Sequence, residues 1–191
     1  MSKIQKNIIK HFCEELVYIF KKNISALYLM TKNVEFDRFG LLLQNVRIYN
    51  KGKIQIKKRF TTRGFGFKPI VIFVNNENSE LLIGENVFLN AGVEIAVSKK
   101  IVIGNNVKIG DDARILDDSY HEHFDVKRKI EEVHIGSNVW IGPRSVIMPG
   151  VKIGDGALVA ACSVVTKNVS DFSMVAGVPA KFVRSIKAAK I

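Results

Sequence analysis

Cysteine is scarce. The chain has 191 residues and only Cys13 and Cys162, far apart. That leaves neither a disulfide framework nor a zinc-ligand spacing and fits a reducing compartment. No stretch approaches the ~20 apolar residues that a membrane-spanning helix needs. The N-terminal apolar run is broken by Glu14, Glu15, Lys21 and Lys22. With no small-residue cleavage site after it, the run does not read as an export signal. Acidic residues are in deficit, 18 against 29 Lys and Arg, for a net charge of +11. Such a surplus fits nucleic acid, an anionic membrane surface or phosphate-bearing small molecules, and composition does not choose among them. The Gly-Phe-Gly stretch in TTRGFGFKP is no phosphate loop, since no Gly-Lys-Ser/Thr or Rossmann spacing follows. Against these absences stand 47% hydrophobic residues and 12 Phe, enough for a sizeable core in one domain.

What the chain does have is a period of six. From Ile135 the aliphatic residues recur without a gap at Ile141, Ile147, Ile153, Val159 and Val165. The fifth residue of each hexad is small or aliphatic as well: Val139, Ser145, Val151, Ala157 and Ser163. A second run passes through Ile83, Leu89 and Ile95. It resumes at Ile103, Ile109 and Ile115 after a two-residue slip around Lys99 and Lys100. Helices need apolar positions three and four apart and amphipathic strands need strict alternation, and neither fits over this length. One short strand plus one corner per hexad does fit, with three hexads making a triangular coil of about 18 residues. The aliphatic residue then points inward and stacks on its equivalents. The small residue after it, such as Gly84, Gly104 or Gly110, is expected to turn the corner where a large side chain would crowd the backbone. The expected fold class is therefore mainly β, a parallel β-helix solenoid whose end coils need caps.

The expected layout is an N-terminal helical segment over 1–34, irregular early coils over 35–82, the hexad β-helix over 83–170 and a tail over 171–191. Residues 4–30 carry apolar side chains near helical spacing among lysines. They read as a cap on the first coil, or as a basic amphipathic segment on an anionic membrane surface. Residues 117–134 break the rhythm, which resumes cleanly at Ile135. A polar insertion in a regular scaffold is where function tends to sit, and this one holds His121, His123 and His134.

The hexads, the His-containing loop and the ordered segments NVWIG, SVVTK and AGVPAK resemble the left-handed parallel β-helix (hexapeptide-repeat) acyltransferases. Within these the chain looks most like the sugar O-acetyltransferase branch, which includes galactoside, maltose, capsule and lipopolysaccharide O-acetyltransferases. The resemblance spans residues 83–185. It implies a left-handed coil, a homotrimer with active sites between subunits, acetyl-CoA as donor, no required metal, and a sugar hydroxyl as acceptor, with surface polysaccharide the expected context. The expected location is the cytoplasm, with peripheral contact at the inner membrane face through residues 1–30.

By the same resemblance His121 is the catalytic base. In the related capsule enzymes the pattern is Asp-x-Asp-x-His; here Asp117 is kept, Ser119 replaces the second Asp and Glu122 follows the His. His123 is the other imidazole in the loop. The chemistry asks for such a group: an imidazole with pKa near ~6.5 can take the proton of a sugar hydroxyl as it attacks a thioester, then protonate the leaving thiolate. Asp117 and Asp118 are candidates to orient the ring, or are loop-capping residues. Asn90 aligns with a corner Asn that positions the acceptor or stabilises the oxyanion, and Asn also simply suits tight turns. The resemblance places the pantetheine near Gly142, Pro143 and Ala161, and the nucleotide and its phosphates near Thr166, Lys167, Lys181 and Arg184. Trp140 is expected at the subunit interface near the cofactor groove.

Four rival readings stay open. Amino-sugar N-acetyltransferases use similar base chemistry. Serine acetyltransferases share the hexads but carry a longer helical N-terminal domain. Gamma-type carbonic anhydrases need three converging His ligands, and the three loop histidines supply the count but not the arrangement. A non-enzymatic nucleic-acid-binding solenoid rests on the net charge alone, with no aromatic-rich basic motif to stack on bases.

Overall fold

The computed structural model describes residues 24–37, 44–64, 67–120, 122 and 127–186. Among these, the chain winds through three parallel sheets in turn. One sheet stacks Val34–Phe36, Lys53–Ile56, Glu80–Ile83, Lys100–Ile103, Val133–Ile135 and Lys152–Ile153. A second stacks Thr61–Thr62, Phe88–Leu89, Lys108–Ile109, Trp140–Ile141, Leu158–Val159 and Ser173–Ala176. The third stacks Val46–Asn50, Ile70–Val74, Glu94–Val97, Arg114–Leu116, Val146–Ile147 and Val164–Val165. We call these the first, second and third faces of the triangle.

The register confirms the hexad rule. Ile135 pairs with Ile153, Ile141 with Val159 and Ile147 with Val165, eighteen residues apart each time. All of these side chains are buried. Each inward aliphatic residue contributes about 1.5–3 kcal/mol of burial, so the stack is held by neighbour upon neighbour. The slip at Lys99–Lys100 is absorbed by longer strands. Leu81 with Ile83, and Ile101 with Ile103, both point inward on the first face, so the early coils are wider.

One detail of the corner expectation is corrected. The glycine after the aliphatic residue does not make the turn. The crowding expected there does hold: a Cβ on Gly84 would lie 2.6 Å from the carbonyl oxygen of Gly104. The left-handed backbone falls two positions later, on Asn86, Asn106 and Asn138, with φ of 55°, 56° and 59°. Asn tolerates that region better than most residues. The three amides also bond one another up the stack, Asn86 Nδ2 to Asn106 Oδ1 at 2.9 Å and Asn106 Nδ2 to Asn138 Oδ1 at 3.1 Å.

Residues 24–31 are helical and close the first coil. Leu29 is fully buried there, and the Ile48 amide donates to the Tyr28 hydroxyl at 2.9 Å. Residues 1–23, which hold most of the basic amphipathic segment, lie outside the described residues. Among those described, no helix is long and apolar enough to cross a membrane. At the other end Lys181–Ser185 turns back antiparallel on Ser173–Ala176.

Candidate active site

The edge between the second and third faces is built in tiers. Asn90, Gly110, Gly142 and Ala160 follow the second-face strands, with Ala91, Asp111, Pro143 and Ala161 next to them. Backbone bonds run from tier to tier: Asp112 N to Ala91 O at 2.9 Å, Arg144 N to Asp111 O at 2.7 Å and Cys162 N to Pro143 O at 2.9 Å. The geometry therefore gathers four of the expected residues, Asn90, Gly142, Pro143 and Ala161, onto one edge. Pro143 and Ala161 line a groove of about 580 Å³ along it. Of the expected residues on this edge, only Asn90 carries a functional side chain. Its Nδ2 donates to Asp111 Oδ2 at 2.9 Å, and its Oδ1 accepts from the Ala91 amide at 3.1 Å, which fixes its rotamer.

The groove also has a charged wall that the hexad pattern does not reveal. Lys68 Nζ pairs with Asp112 Oδ2 at 2.6 Å, and Arg144 and Cys162 line the same groove. Asp112, Arg144 and Cys162 hold φ of 56°, 58° and 58°. Their shared place in the hexad is the one signal by which they could have been grouped. Lys68 comes from an irregular early coil and had none.

Thr166, Lys167 and Lys181 come together elsewhere, around a cavity of about 340 Å³ at the end of the stack, under Pro179 and Phe182. Arg184 is exposed on the last strand, opposite Met174. Trp140 is 56% exposed on the second face, between Lys108 and Leu158. Within one chain the expected cofactor residues thus form two clusters and an outlying Arg184.

The loop leaves the third face at its far edge. Asp117 follows the Ala96–Leu116 pair and takes the next inward position, where it is fully buried. Its carboxylate accepts from Ser98 N at 2.7 Å and Lys99 N at 2.8 Å. Burial pushes its pKa up, against the pull of these amides. Asp118 is also fully buried and is gripped by the Arg128 guanidinium, with Arg128 Nε at 2.8 Å and Tyr120 N at 2.8 Å. The guanidinium holds its carboxyl down at about 2. Both carboxylates thus make contacts that anchor the root of the loop, as a capping role requires. Asp118 also bridges to Ile130, and the Tyr120 hydroxyl accepts from Asn75 Nδ2 at 3.1 Å. His121 and His123 lie outside the described residues. His134 lies on the first face with Glu132 at 3.2 Å. That contact, ahead of Lys99, lowers the Glu132 pKa. Among the described residues no three His, Cys, Asp or Glu gather as a metal site.

Asn90 and the loop root sit at opposite edges of the third face. The strand between them spans on the order of 10–13 Å. A single chain does not bring the corner Asn and the root of the His loop together.

Residues 132–167 match the bacterial transferase hexapeptide family (six repeats). A protein of Staphylococcus aureus (strain COL) that bears the name "Putative acetyltransferase SACOL2570" is 36% identical over 141 residues, covering 72% of this chain and 71% of that one. The galactoside O-acetyltransferase of Escherichia coli (strain K12) is 34% identical over 137 residues, covering 69% and 66%. A hexapeptide-repeat acetyltransferase of Vibrio cholerae, solved in complex with acetyl coenzyme A, superposes with a TM-score of 0.52 at 28% identity over 78% of this chain and 73% of that one. With its coils, its loop and these relatives in agreement, the chain is a left-handed parallel β-helix and belongs to the bacterial hexapeptide-repeat transferase family, as an acyltransferase.

Proposed function

We propose that the protein is an acetyl-CoA-dependent O-acetyltransferase acting on a sugar hydroxyl, in the assembly of surface polysaccharide. The observation that carries this reading is the edge that gathers Asn90 with Gly142, Pro143 and Ala161 beside an open groove. A groove floored by backbone and small side chains suits an extended pantetheine arm, and the V. cholerae relative holds acetyl coenzyme A. Thr166, Lys167, Lys181 and Arg184 then serve the nucleotide end, their cations drawn to its phosphates.

His121 is the general base. It removes the hydroxyl proton as the oxygen attacks the thioester carbonyl, and a tetrahedral oxyanion forms. The carbon–sulfur bond then breaks, and the same imidazolium returns the proton to the CoA thiolate. Asn90, fixed by Asp111, offers its amide to the oxyanion or to the acceptor. Because Asn90 and the loop root lie at opposite edges of one face, each site takes its Asn90 edge from one subunit and its His loop from the neighbour in a homotrimer.

The test is thiol release from acetyl-CoA against a panel of pyranosides, amino sugars and serine. A pyranoside without an amine should be accepted, and His121→Ala should lower transfer about 10²–10⁴-fold. Full activity in His121→Ala, or turnover confined to amines, would overturn the reading.

A further inference from the structure

We propose that the hollow formed by Tyr49, Lys51, Phe73 and Asn75 is the acceptor subsite and takes a pyranose ring against its aromatic pair; this rests on the sugar O-acetyltransferase reading above. Tyr49 and Phe73 pair in register on the outer side of the third face, in adjacent early coils. Their rings stack with centroids 4.9 Å apart and 14° between planes. Tyr49 is 53% exposed, so a large apolar surface faces outward where the inward-facing hexad rule gives it no role.

The hollow beside the pair measures about 380 Å³ and is walled by Lys51 and Asn75, within the size range of small-molecule sites. A pyranose presents an apolar face of C–H bonds and a rim of hydroxyls. Aromatic faces, with their negative quadrupole, attract such C–H groups, while an amide and an ammonium serve the rim. The hollow supplies both.

Its position fits an acceptor. Asn75 lines the hollow and donates to the Tyr120 hydroxyl at 3.1 Å and to Ser98 Oγ at 2.9 Å. Tyr120 directly precedes His121 in the chain. A sugar stacked on Tyr49 is therefore tethered through one side chain to the stem of the proposed catalytic loop. The early coils, irregular in sequence, supply the acceptor side, and the regular late coils supply the donor side.

The test compares wild type with Tyr49→Ala and Tyr49→Phe, using methyl β-galactopyranoside and methyl α-glucopyranoside as probes. Binding is read by ligand-observed NMR without acetyl-CoA, and turnover by thiol release. The proposal expects Tyr49→Ala to abolish the NMR signal and to raise KM for the accepted pyranoside at least tenfold, with KM for acetyl-CoA within twofold. Tyr49→Phe, which keeps the ring, should stay within threefold of wild type. Equal pyranoside binding by Tyr49→Ala, or an acceptor KM within twofold, would overturn the subsite while leaving the acetyltransferase reading intact. So would loss of the native oligomer mass in Tyr49→Ala, which would make the pair a subunit contact. Binding lost in Tyr49→Ala, with no transfer to any pyranoside by wild type, would sink the O-acetyltransferase reading and the acceptor role with it, leaving a pyranose-binding hollow.

Discussion

Asp118 shows how one residue shapes the loop that bears the proposed base. It is fully buried, and the Arg128 partner that neutralises it reaches across from the returning limb of the loop. Its pKa of about 2 lies below the unfolded value near 3.9. The ion pair therefore stabilises the fold fully above about pH 4, and this contribution is lost as pH falls through about 2. Asp117 works the other way: its pKa is raised by burial, so its contribution weakens as pH rises through the range where the folded state still holds the proton. Denaturant titrations at pH 7, 4 and 2 should show Asp118→Asn less stable than wild type by about 1–2 kcal/mol at pH 7, allowing for the partly exposed guanidinium. That gap should close toward pH 2, and a constant gap would mean that packing, not charge, makes the difference. Sequence alone identified these two aspartates as either ring-orienting or loop-capping. Their contacts to Ser98, Lys99, Tyr120 and Arg128 fit the capping role, and sequence could not supply these partners because which groups a carboxylate meets depends on the neighbouring coil.

At the scale of the element, the hexad splits its two demands between different positions. Closeness of coils falls on the glycine after the aliphatic residue, and backbone handedness falls on the Asn two places later. Asn106→Gly should cost within about 1 kcal/mol, since glycine accepts φ of 56° freely and only the amide ladder is lost. Asn106→Val places a β-branched residue in the left-handed region and should cost about 1–3 kcal/mol more. Gly142→Ala puts a Cβ 2.5 Å from the Ala161 amide nitrogen. It should part the coils beside the groove, lowering Tm and raising KM for acetyl-CoA together. Thermal melts and steady-state kinetics of the three variants check both statements, and a Gly142→Ala protein with unchanged Tm would refute the close-approach argument.

For the whole molecule, the decisive feature is the third face lying between Asn90 and the His loop. Chains of His121→Ala mixed with chains of Asn90→Ala should regain activity, though each alone is impaired. If the chains assemble at random into the proposed trimer, about a quarter of the sites would pair an intact loop with an intact Asn90 edge. Co-expressing the two variants and measuring transfer per trimer gives the answer, and no recovery would place both residues in one chain's site. The charge of +11 also gains partial meaning at this scale. Lys167 and Lys181 flank the terminal cavity, Lys68 and Arg144 flank the edge groove, and both places suit a donor carrying several phosphates.

The sequence by itself determined the triangular coil, because a six-residue period of aliphatic residues has one economical way to bury itself. It also marked a break between Asp117 and Ile135, although the first-face strand already begins at Val133 and takes in His134. The irregular early coils hid the most. Lys68 reaches Asp112 from forty-four residues away, and Tyr49 meets Phe73 only when two coils stack. The tertiary structure decided which corners share an edge and which lie a face apart. Period fixes where a residue sits within its own coil, whereas contact between coils depends on insertions that change coil width and on side chains that no repeat constrains.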